Sequence, residues 1–208
     1  MKLATAICST LAYSDHFQFP LLSEEIYLRL VGASSTRPQV INQLKLLVKS
    51  GEISQTGDFY HLPSRSHLVT LRRQNAQSSN ALYARAQLLA SRLSELSSNI
   101  LAIYLTGSLA VSNATDDADI DLMIITKNNR LWTTRLLLTI YTTIFRMRRT
   151  PSSTLNSGKV CLNLYLTPNS YLIPKARQTL YTAYELIQVV PLYDPHDTHT
   201  ELLSTNSW

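Results

Sequence analysis

The sequence predicts an α+β fold, with a small mixed β-sheet packed with helices and a winged-helix-like helical domain in front of it. In the first 64 residues, three helical segments precede a short hairpin pattern. A long stretch with leucines and alanines at helical spacing follows, and then short apolar strands alternate with helices. We therefore expect a winged-helix-like domain at 1–64, a connecting helix at 65–98 and a sheet-containing domain at 99–208.

The N-terminal elements are predicted from their end signals. A first helix covers 2–14, and Ser23 with two following glutamates starts a second that runs to about residue 30. A third helix starts at Thr36 and stops at Gly51, a residue type that often ends helices. The segments EIS and FYHL around a TGD turn then predict a hairpin, which completes the winged-helix order.

Positive charge is concentrated in the middle of the chain. The net charge is +5, residues 1–64 hold five basic and five acidic side chains, and residues 65–149 hold eleven basic and five acidic ones. An anionic substrate is therefore expected at the middle segment. The third helix carries Arg37, Lys45 and Lys49, but its domain is neutral overall. We favour a packing or protein-contact role for that domain and leave a weak nucleic-acid contact open.

The second half is predicted to alternate strands and helices. Strands are expected at 100–105, 120–126 and 159–166, and helices at 131–147 and 175–189. We interpret Tyr181, Tyr184 and Tyr193 as core or sheet-covering residues, and His196 and His199 as part of a polar loop. No closing element is evident after the last helix, which suggests a fragment of a longer protein.

The sequence does not favour a membrane-spanning or secreted protein. The apolar run at 136–145 is too short to span a bilayer and is flanked by arginines, so we expect a buried helix there. The N-terminus has no signal-peptide pattern. Cys8 and Cys161 lie in apolar runs and are expected to be buried, reduced thiols. We therefore expect a cytoplasmic protein that does not contact a membrane.

One motif indicates chemistry: Gly107-Ser108, ten residues, and then Asp119-Ile-Asp121 at the start of a strand. Because side chains alternate along a strand, both carboxylates lie on one face. Their repulsion is relieved by a divalent cation such as Mg²⁺, which prefers oxygen ligands. A glycine lets the backbone approach a phosphate closely, and Ser108 supplies a hydroxyl at the start of a predicted helix.

This motif resembles the signature of the polymerase-β-like nucleotidyltransferase superfamily. The resemblance implies that Asp119 and Asp121 are catalytic residues that bind Mg²⁺ or Mn²⁺, and that Gly107 and Ser108 hold the triphosphate. It also implies a third carboxylate on a later strand, but the inward polar residue expected on the matching strand is Asn163. Asparagine cannot act as a base.

Other charged residues near the motif have alternative interpretations. Asp116 and Asp117 could supply a carboxylate, but are expected to cap the turn before the strand. Lys127 and Arg130 are assigned as nucleotide-binding, and Arg135 could assist them, although each of these residues alone is more often a surface charge. The arginines at 146, 148 and 149 are expected at a helix end, where cations suit the helix dipole.

The expected function is transfer of a nucleoside monophosphate from an NTP, with ATP favoured, to an acceptor that could be a protein, an RNA or a small molecule. Two alternatives come from other classes. Because of Asn163, the chain could be a catalytically inactive nucleotide-binding module. It could also be a DNA-binding regulator that uses the winged helix.

Overall fold

The computed structural model describes residues 1–149 and 157–208. The chain divides into two compact units, Met1–Gln74 and Asn75–Trp208. The boundary falls inside the long helix α4 (His67–Glu95), so the first turns of this helix belong to the first unit and the remainder to the second. The helix predicted at 65–98 is therefore present, within three residues at either end.

The first unit combines short helices with a small antiparallel sheet. Its elements before α4 are α1 (Leu3–His16), β1 (Leu21–Leu22), α2 (Ser23–Leu28), α3 (Arg37–Ser50), β2 (Ser54–Thr56) and β3 (Phe59–His61). The strand order is β1-β3-β2, and both pairings are antiparallel. The three predicted helices and the hairpin are present, and the two-residue strand β1 is an element that the sequence pattern did not indicate.

The ends of α3 follow from its sequence. The Thr36 N–H donates a hydrogen bond to the Gln39 side chain at 3.0 Å, which closes a capping box, and Pro38 lies in the first turn. Gly51 ends the helix with φ 78°, a left-handed conformation that glycine adopts without steric cost. Buried Val40, Leu44 and Leu47 form the apolar stripe of this helix.

A partly buried ion pair ties the start of α4 to α2. The Arg72 guanidinium donates to the Glu25 carboxylate at 2.7 and 2.8 Å, and it lies over the rings of Phe19 and Phe59. Glu25 also accepts the Leu22 N–H at 2.8 Å, so Leu22 and not the predicted Ser23 is the N-cap of α2. Because a buried charge is costly without a partner, loss of either side chain would destabilise this unit.

The second unit is built on a four-stranded mixed sheet. After α4 its elements are β4 (Ile100–Leu105), α5 (Gly107–Ala110), β5 (Ile120–Thr126), α6 (Leu131–Ile144), β6 (Val160–Leu166), α7 (Leu180–Ile187), β7 (Val190–Tyr193) and α8 (Thr198–Thr205), with 3₁₀ turns at Pro168–Ser170 and Lys175–Arg177. The order is β6-β5-β4-β7, with β5 and β6 parallel and the other pairs antiparallel. The prediction of a small mixed sheet with packed helices is confirmed.

The two faces of this sheet have separate cores. On β5, Ile120, Leu122 and Ile124 pack with the leucines and alanines of α4. Met123 and Ile125 pack on the opposite face with residues of α7 and α8 such as Leu186 and Leu202. Because side chains alternate with period two, odd-numbered positions at the start of β5 belong to the α7 and α8 face.

The C-terminal part differs from the sequence prediction. The helix expected at 175–189 is reduced to α7, and β7 and α8 follow it, so closing elements are present. Because proline disfavours a strand, the sequence pattern around Pro191 did not predict β7. The residue is tolerated because β7 is an edge strand. His199 lies in α8, so the expected polar loop is shorter than predicted. Tyr181 is 56% exposed, which contradicts its assignment to the core, whereas Tyr184 is buried.

The expectation of a buried helix at 136–145 is wrong. In α6, Leu136, Ile140 and Ile144 are 62%, 48% and 68% exposed, and the buried residues are Thr134, Leu138 and Thr142. A helix on a sheet buries one stripe, and here that stripe carries two threonines. Within 1–149 and 157–208, no helix is both long and apolar enough to cross a membrane. Cys8 and Cys161 are free but only half-buried.

Asp194 caps α8 and is expected to stabilise the fold in a pH-dependent way. Its carboxylate accepts the N–H groups of Thr198 and His199, both at 2.9 Å, and the hydroxyl of Tyr104. Burial opposes its ionisation, but the hydrogen bonds prevail and hold the pKa of Asp194 below its ordinary value. We expect Asp194→Asn to cost about 1 kcal/mol at neutral pH, because an amide nitrogen cannot accept these bonds.

Because the pKa of Asp194 is lowered in the folded protein, its contribution to the free energy of unfolding is fully present above its pKa in the unfolded chain. That contribution is lost as the pH falls through the pKa of the folded state. Urea unfolding should therefore show that Asp194→Asn lowers the free energy of unfolding more at pH 7 than at pH 3. Asp197→Asn is the control, since the exposed Asp197 carboxylate accepts the hydroxyl of Thr200. Equal effects of the two variants would contradict the capping role.

Candidate functional site

The turn between β4 and α5 lies directly against Asp121. The Thr106 N–H donates to the Asp121 carbonyl at 3.0 Å, and Leu105 pairs with Leu122 in the sheet register. Gly107 has φ 68°, and a Cβ atom at this position would lie 2.6 Å from Asp121 Oδ2. Both the backbone conformation and the closeness of the carboxylate therefore require glycine here.

Asp119, Asp121 and Cys161 form a compact group of possible metal ligands. One ligand atom from each lies within 4.8 Å of the others, and all three side chains are half-buried. Asp119 and Asp121 are two residues apart at the start of β5, so they share a face. Cys161 is the register partner of Asp121 on the parallel strand β6, which brings its thiol to the same face.

The electrostatics of this group are unfavourable without a cation. Burial and the neighbouring Asp119 charge raise the pKa of Asp121 above its ordinary value. Burial and a hydrogen bond with Asp121 raise the pKa of the Cys161 thiol to about 12. Cys161 is therefore a protonated donor at neutral pH, and the two carboxylates repel each other. Two oxygen ligands in this state fit a hard divalent cation, which would remove the repulsion.

The structure corrects the prediction for Asn163. The register of β6 shifts between Leu162 and Leu164, so Asn163 is the extra residue of an irregularity and its side chain is exposed. The residue beside Asp121 is Cys161, two positions earlier. Strict alternation through KVCLNLYL would have put both residues on one face, and only the register shows which one lies beside the carboxylates.

Arg149 was not predicted as part of the site. Its guanidinium lies 2.7 Å from Asp119 Oδ2, although the two residues are 30 positions apart. The predicted helix end at Met147 is also wrong, because α6 stops at Ile144 and the chain then runs beside β6, where Arg149 N–H donates to the Val160 carbonyl. Arg149 is therefore positioned by this extended segment and not by the end of a helix.

Lys127 and Arg130 are not brought together with the aspartates. They are exposed and follow the opposite end of β5, and Lys127 lies six positions after Asp121, a span of about 20 Å along the strand. Arg135 lies over the rings of Trp132 and Tyr165. We therefore leave all three cations out of the nucleotide site proposed below.

Ser108 and the two acidic residues of the turn before β5, Asp116 and Asp117, also have defined positions. Ser108 is exposed directly after Gly107, but α5 has four residues, too few for an appreciable helix dipole. Asp117 accepts the Thr115 hydroxyl at 2.5 Å, as expected for a residue that caps the turn. Asp116 is exposed, and its carbonyl accepts the hydroxyl of Ser157.

Comparison with known protein families identifies this region. Residues 87–157 match the family described as a nucleotidyltransferase domain. Residues 87–157 are therefore similar to a nucleotidyltransferase domain. The match includes the glycine turn and both aspartates, and it confirms the resemblance to the polymerase-β-like superfamily.

Two further comparisons add little to this family match. A search among curated proteins gives no significant match. A solved structure described as "Crystal structure of the toxin-antitoxin with AMP-PNP" is 14% identical, covers 59% of this chain and 84% of its own, and has a TM-score of 0.34. At this level of similarity, the comparison supports no conclusion on fold or function.

Arg149 is expected to compete with cations for Asp119. Its side chain is 50% exposed, so the ion pair contributes little to stability. We expect Arg149→Gln to leave the Tm nearly unchanged and to raise Mn²⁺ affinity several-fold in the absence of nucleotide, because a positive charge leaves the site. Calorimetric titration of Mn²⁺ measures this, with Arg130→Gln as the control. Weaker Mn²⁺ binding by Arg149→Gln would contradict the prediction.

Proposed function

We propose that the nucleotidyltransferase domain transfers a nucleoside monophosphate from an NTP to an acceptor, and that Asp119 and Asp121 hold the Mg²⁺ or Mn²⁺ that this reaction uses. One observation carries the proposal. The glycine turn and the two half-buried carboxylates meet at one edge of the sheet, within contact distance at Gly107 and Asp121.

Each residue has a defined part in this proposal. Asp119 and Asp121 supply oxygen ligands, and the bound cation neutralises charge on the triphosphate as the α-phosphorus is attacked. Gly107 keeps the space beside Asp121 open, since any Cβ would collide with its carboxylate. Ser108 presents an exposed hydroxyl to the phosphates. Arg149 can exchange Asp119 for a phosphate oxygen once a cation occupies the aspartates.

The acceptor oxygen forms a bond to the α-phosphorus and loses its proton, while the bond to the β-phosphate breaks and pyrophosphate leaves. We favour ATP as the donor. The acceptor is a protein side chain, an RNA end or a small molecule. A protein using this donor is expected in the cytoplasm, where NTPs are found.

A labelled-ATP assay with Mg²⁺ or Mn²⁺ tests the proposal, with protein, tRNA and small-molecule acceptors offered in parallel. The expected result is transfer that disappears in Asp119→Ala and persists in Asp116→Ala, an exposed carboxylate three residues away. ATP binding without turnover in any screen would instead indicate an inactive nucleotide-binding module. The absence of both ATP binding and turnover would overturn the proposal.

We also propose that 1–64 form a winged-helix-like domain, with 65–98 connecting it to the nucleotidyltransferase domain at 99–208. The order of helices and hairpin and the antiparallel sheet β1-β3-β2 support this. One of the three cations of α3, Arg37, pairs with Glu24 at 2.5 Å. Strong duplex binding needs several free phosphate contacts, so we favour protein contact. A steep salt dependence of duplex-DNA binding would contradict this choice.

A further inference from the structure

We propose that the outer face of α6 pairs with the same face of a second copy of this chain, in a two-fold symmetric dimer. The face consists of six large, exposed apolar residues: Trp132, Leu136, Leu137, Ile140, Ile144 and Phe145. The inference goes beyond the proposed function and does not depend on it, because none of the six residues belongs to the site of the aspartates.

The polarity of α6 is the reverse of that of an ordinary surface helix. Its buried residues are Thr134, Leu138 and Thr142, and the Thr142 hydroxyl donates a hydrogen bond to the Leu138 carbonyl at 2.7 Å. On the outer face, Trp132 is 75% exposed and Ile144 is 68% exposed. A helix that packs on one side only normally turns its apolar side to the core. The outer face of α6 therefore has the composition of a second buried face.

The area of this face fits a dimer interface. Its six residues together expose roughly 700 Å², which is more than the roughly 300–600 Å² of the largest apolar patch on a typical monomer and close to the roughly 800 Å² that each partner contributes to a standard interface. Removal of this surface from water favours association. A single exposed residue such as Leu172 needs no such explanation.

The face is complementary to itself, as a two-fold interface requires. Trp132, Leu136, Ile140 and Ile144 recur every four residues and form one ridge along α6. A two-fold axis at the midpoint of this ridge places Leu136 of one copy against Ile140 of the other, and Trp132 against Ile144. Each residue of the ridge then meets an apolar residue. Ridges with this spacing interdigitate in the commonest class of helix packing, at an angle of about −50°.

The cations around α6 are compatible with this arrangement. Arg130 precedes the helix, and Arg146 and Arg148 follow it. Arg135 is the one charged residue of α6, and it lies over the ring of Trp132. Because the two helices cross at an angle, their ends diverge and the terminal cations stay in solvent. These like charges repel each other weakly across the dimer, so added salt should tighten it.

Sedimentation velocity of the full chain over a range of concentrations tests the inference. We expect the wild type to dimerise, and Leu136→Glu to weaken the dimer by roughly 10²-fold or more because it buries an unpaired charge at the centre of the interface. Leu172→Glu is the matched control, since Leu172 is also 62% exposed but lies outside α6. It should dimerise as the wild type does. Thermal unfolding checks that both variants fold.

A mixture of two variants tests the two-fold register. Leu136→Glu and Ile140→Lys should each be monomeric by native mass spectrometry. Their equimolar mixture should form a heterodimer, because the new carboxylate of one copy faces the new ammonium group of the other. The absence of this heterodimer would contradict the pairing of Leu136 with Ile140.

Other outcomes would assign the face differently. A wild type that stays monomeric at every concentration overturns the inference, as does a dimer that Leu136→Glu leaves intact or that added salt dissociates. If a monomeric wild type binds vesicles of phosphatidylcholine and phosphatidylglycerol, and Leu136→Glu does not, the face contacts a membrane surface and the dimer is overturned.

Discussion

Replacing Asp121 by asparagine is expected to abolish nucleotidyl transfer and, at the same time, to stabilise the cation-free protein. Loss of this carboxylate as a cation ligand removes several kcal/mol of charge stabilisation, which corresponds to a rate loss of roughly 10³-fold or more. Without a cation, the charged Asp121 is unfavourable because it is half-buried beside Asp119. Removal of that charge should raise the Tm by roughly 2–4 °C.

The pH dependence follows from the direction of the pKa shift. Because the folded-state pKa of Asp121 is raised, its contribution to stability is fully present below the unfolded pKa and is lost as the pH rises through the folded value. The wild type and Asp121→Asn should therefore be similarly stable in acid and diverge towards neutral pH, with the variant the more stable.

Thermal unfolding with and without Mn²⁺ completes the test. Saturating Mn²⁺ should raise the Tm of the wild type by mass action and leave that of Asp121→Asn nearly unchanged. Asp116→Asn, which changes an exposed acid of the preceding turn, should respond to Mn²⁺ as the wild type does. If Asp121→Asn keeps transfer activity, or is less stable than the wild type at neutral pH, the arrangement described here is contradicted.

Replacing Gly107 by alanine is expected to impair both folding and cation binding. The new Cβ would lie 2.6 Å from Asp121 Oδ2, so the carboxylate must move, and φ 68° is itself unfavourable for alanine. A displacement of about 1 Å at a reactive group can reduce the rate roughly 10²-fold. The left-handed conformation adds a cost of roughly 1 kcal/mol or more.

Gly51 provides a matched control. It also has a left-handed backbone, with φ 78°, but a Cβ there would meet nothing within 4 Å. Gly51→Ala therefore measures the conformational cost alone, and any excess in Gly107→Ala reports the collision with Asp121. Urea unfolding and Mn²⁺ titration of both variants give the two quantities. Equal losses of stability together with wild-type Mn²⁺ affinity in Gly107→Ala would show that the contact has no consequence.

Local sequence signals determined much of the fold and the centre of the site. Capping and glycine signals defined α3, and apolar runs defined β4, β5 and β6, because these depend on neighbouring residues alone. The pairing of Asp119 with Asp121 followed from the two-residue period of a strand. The Gly107-Ser108 turn at a fixed distance before them predicted the family, and the family match confirms it.

The tertiary structure decided which other residues meet the aspartates. A register shift in β6 brings Cys161 and not Asn163 beside Asp121, and strand length carries Lys127 and Arg130 away from it. Arg149 approaches Asp119 from a distant part of the chain through an extended segment. Register, strand direction and helix placement are properties of the packed sheet, so no local pattern encodes them.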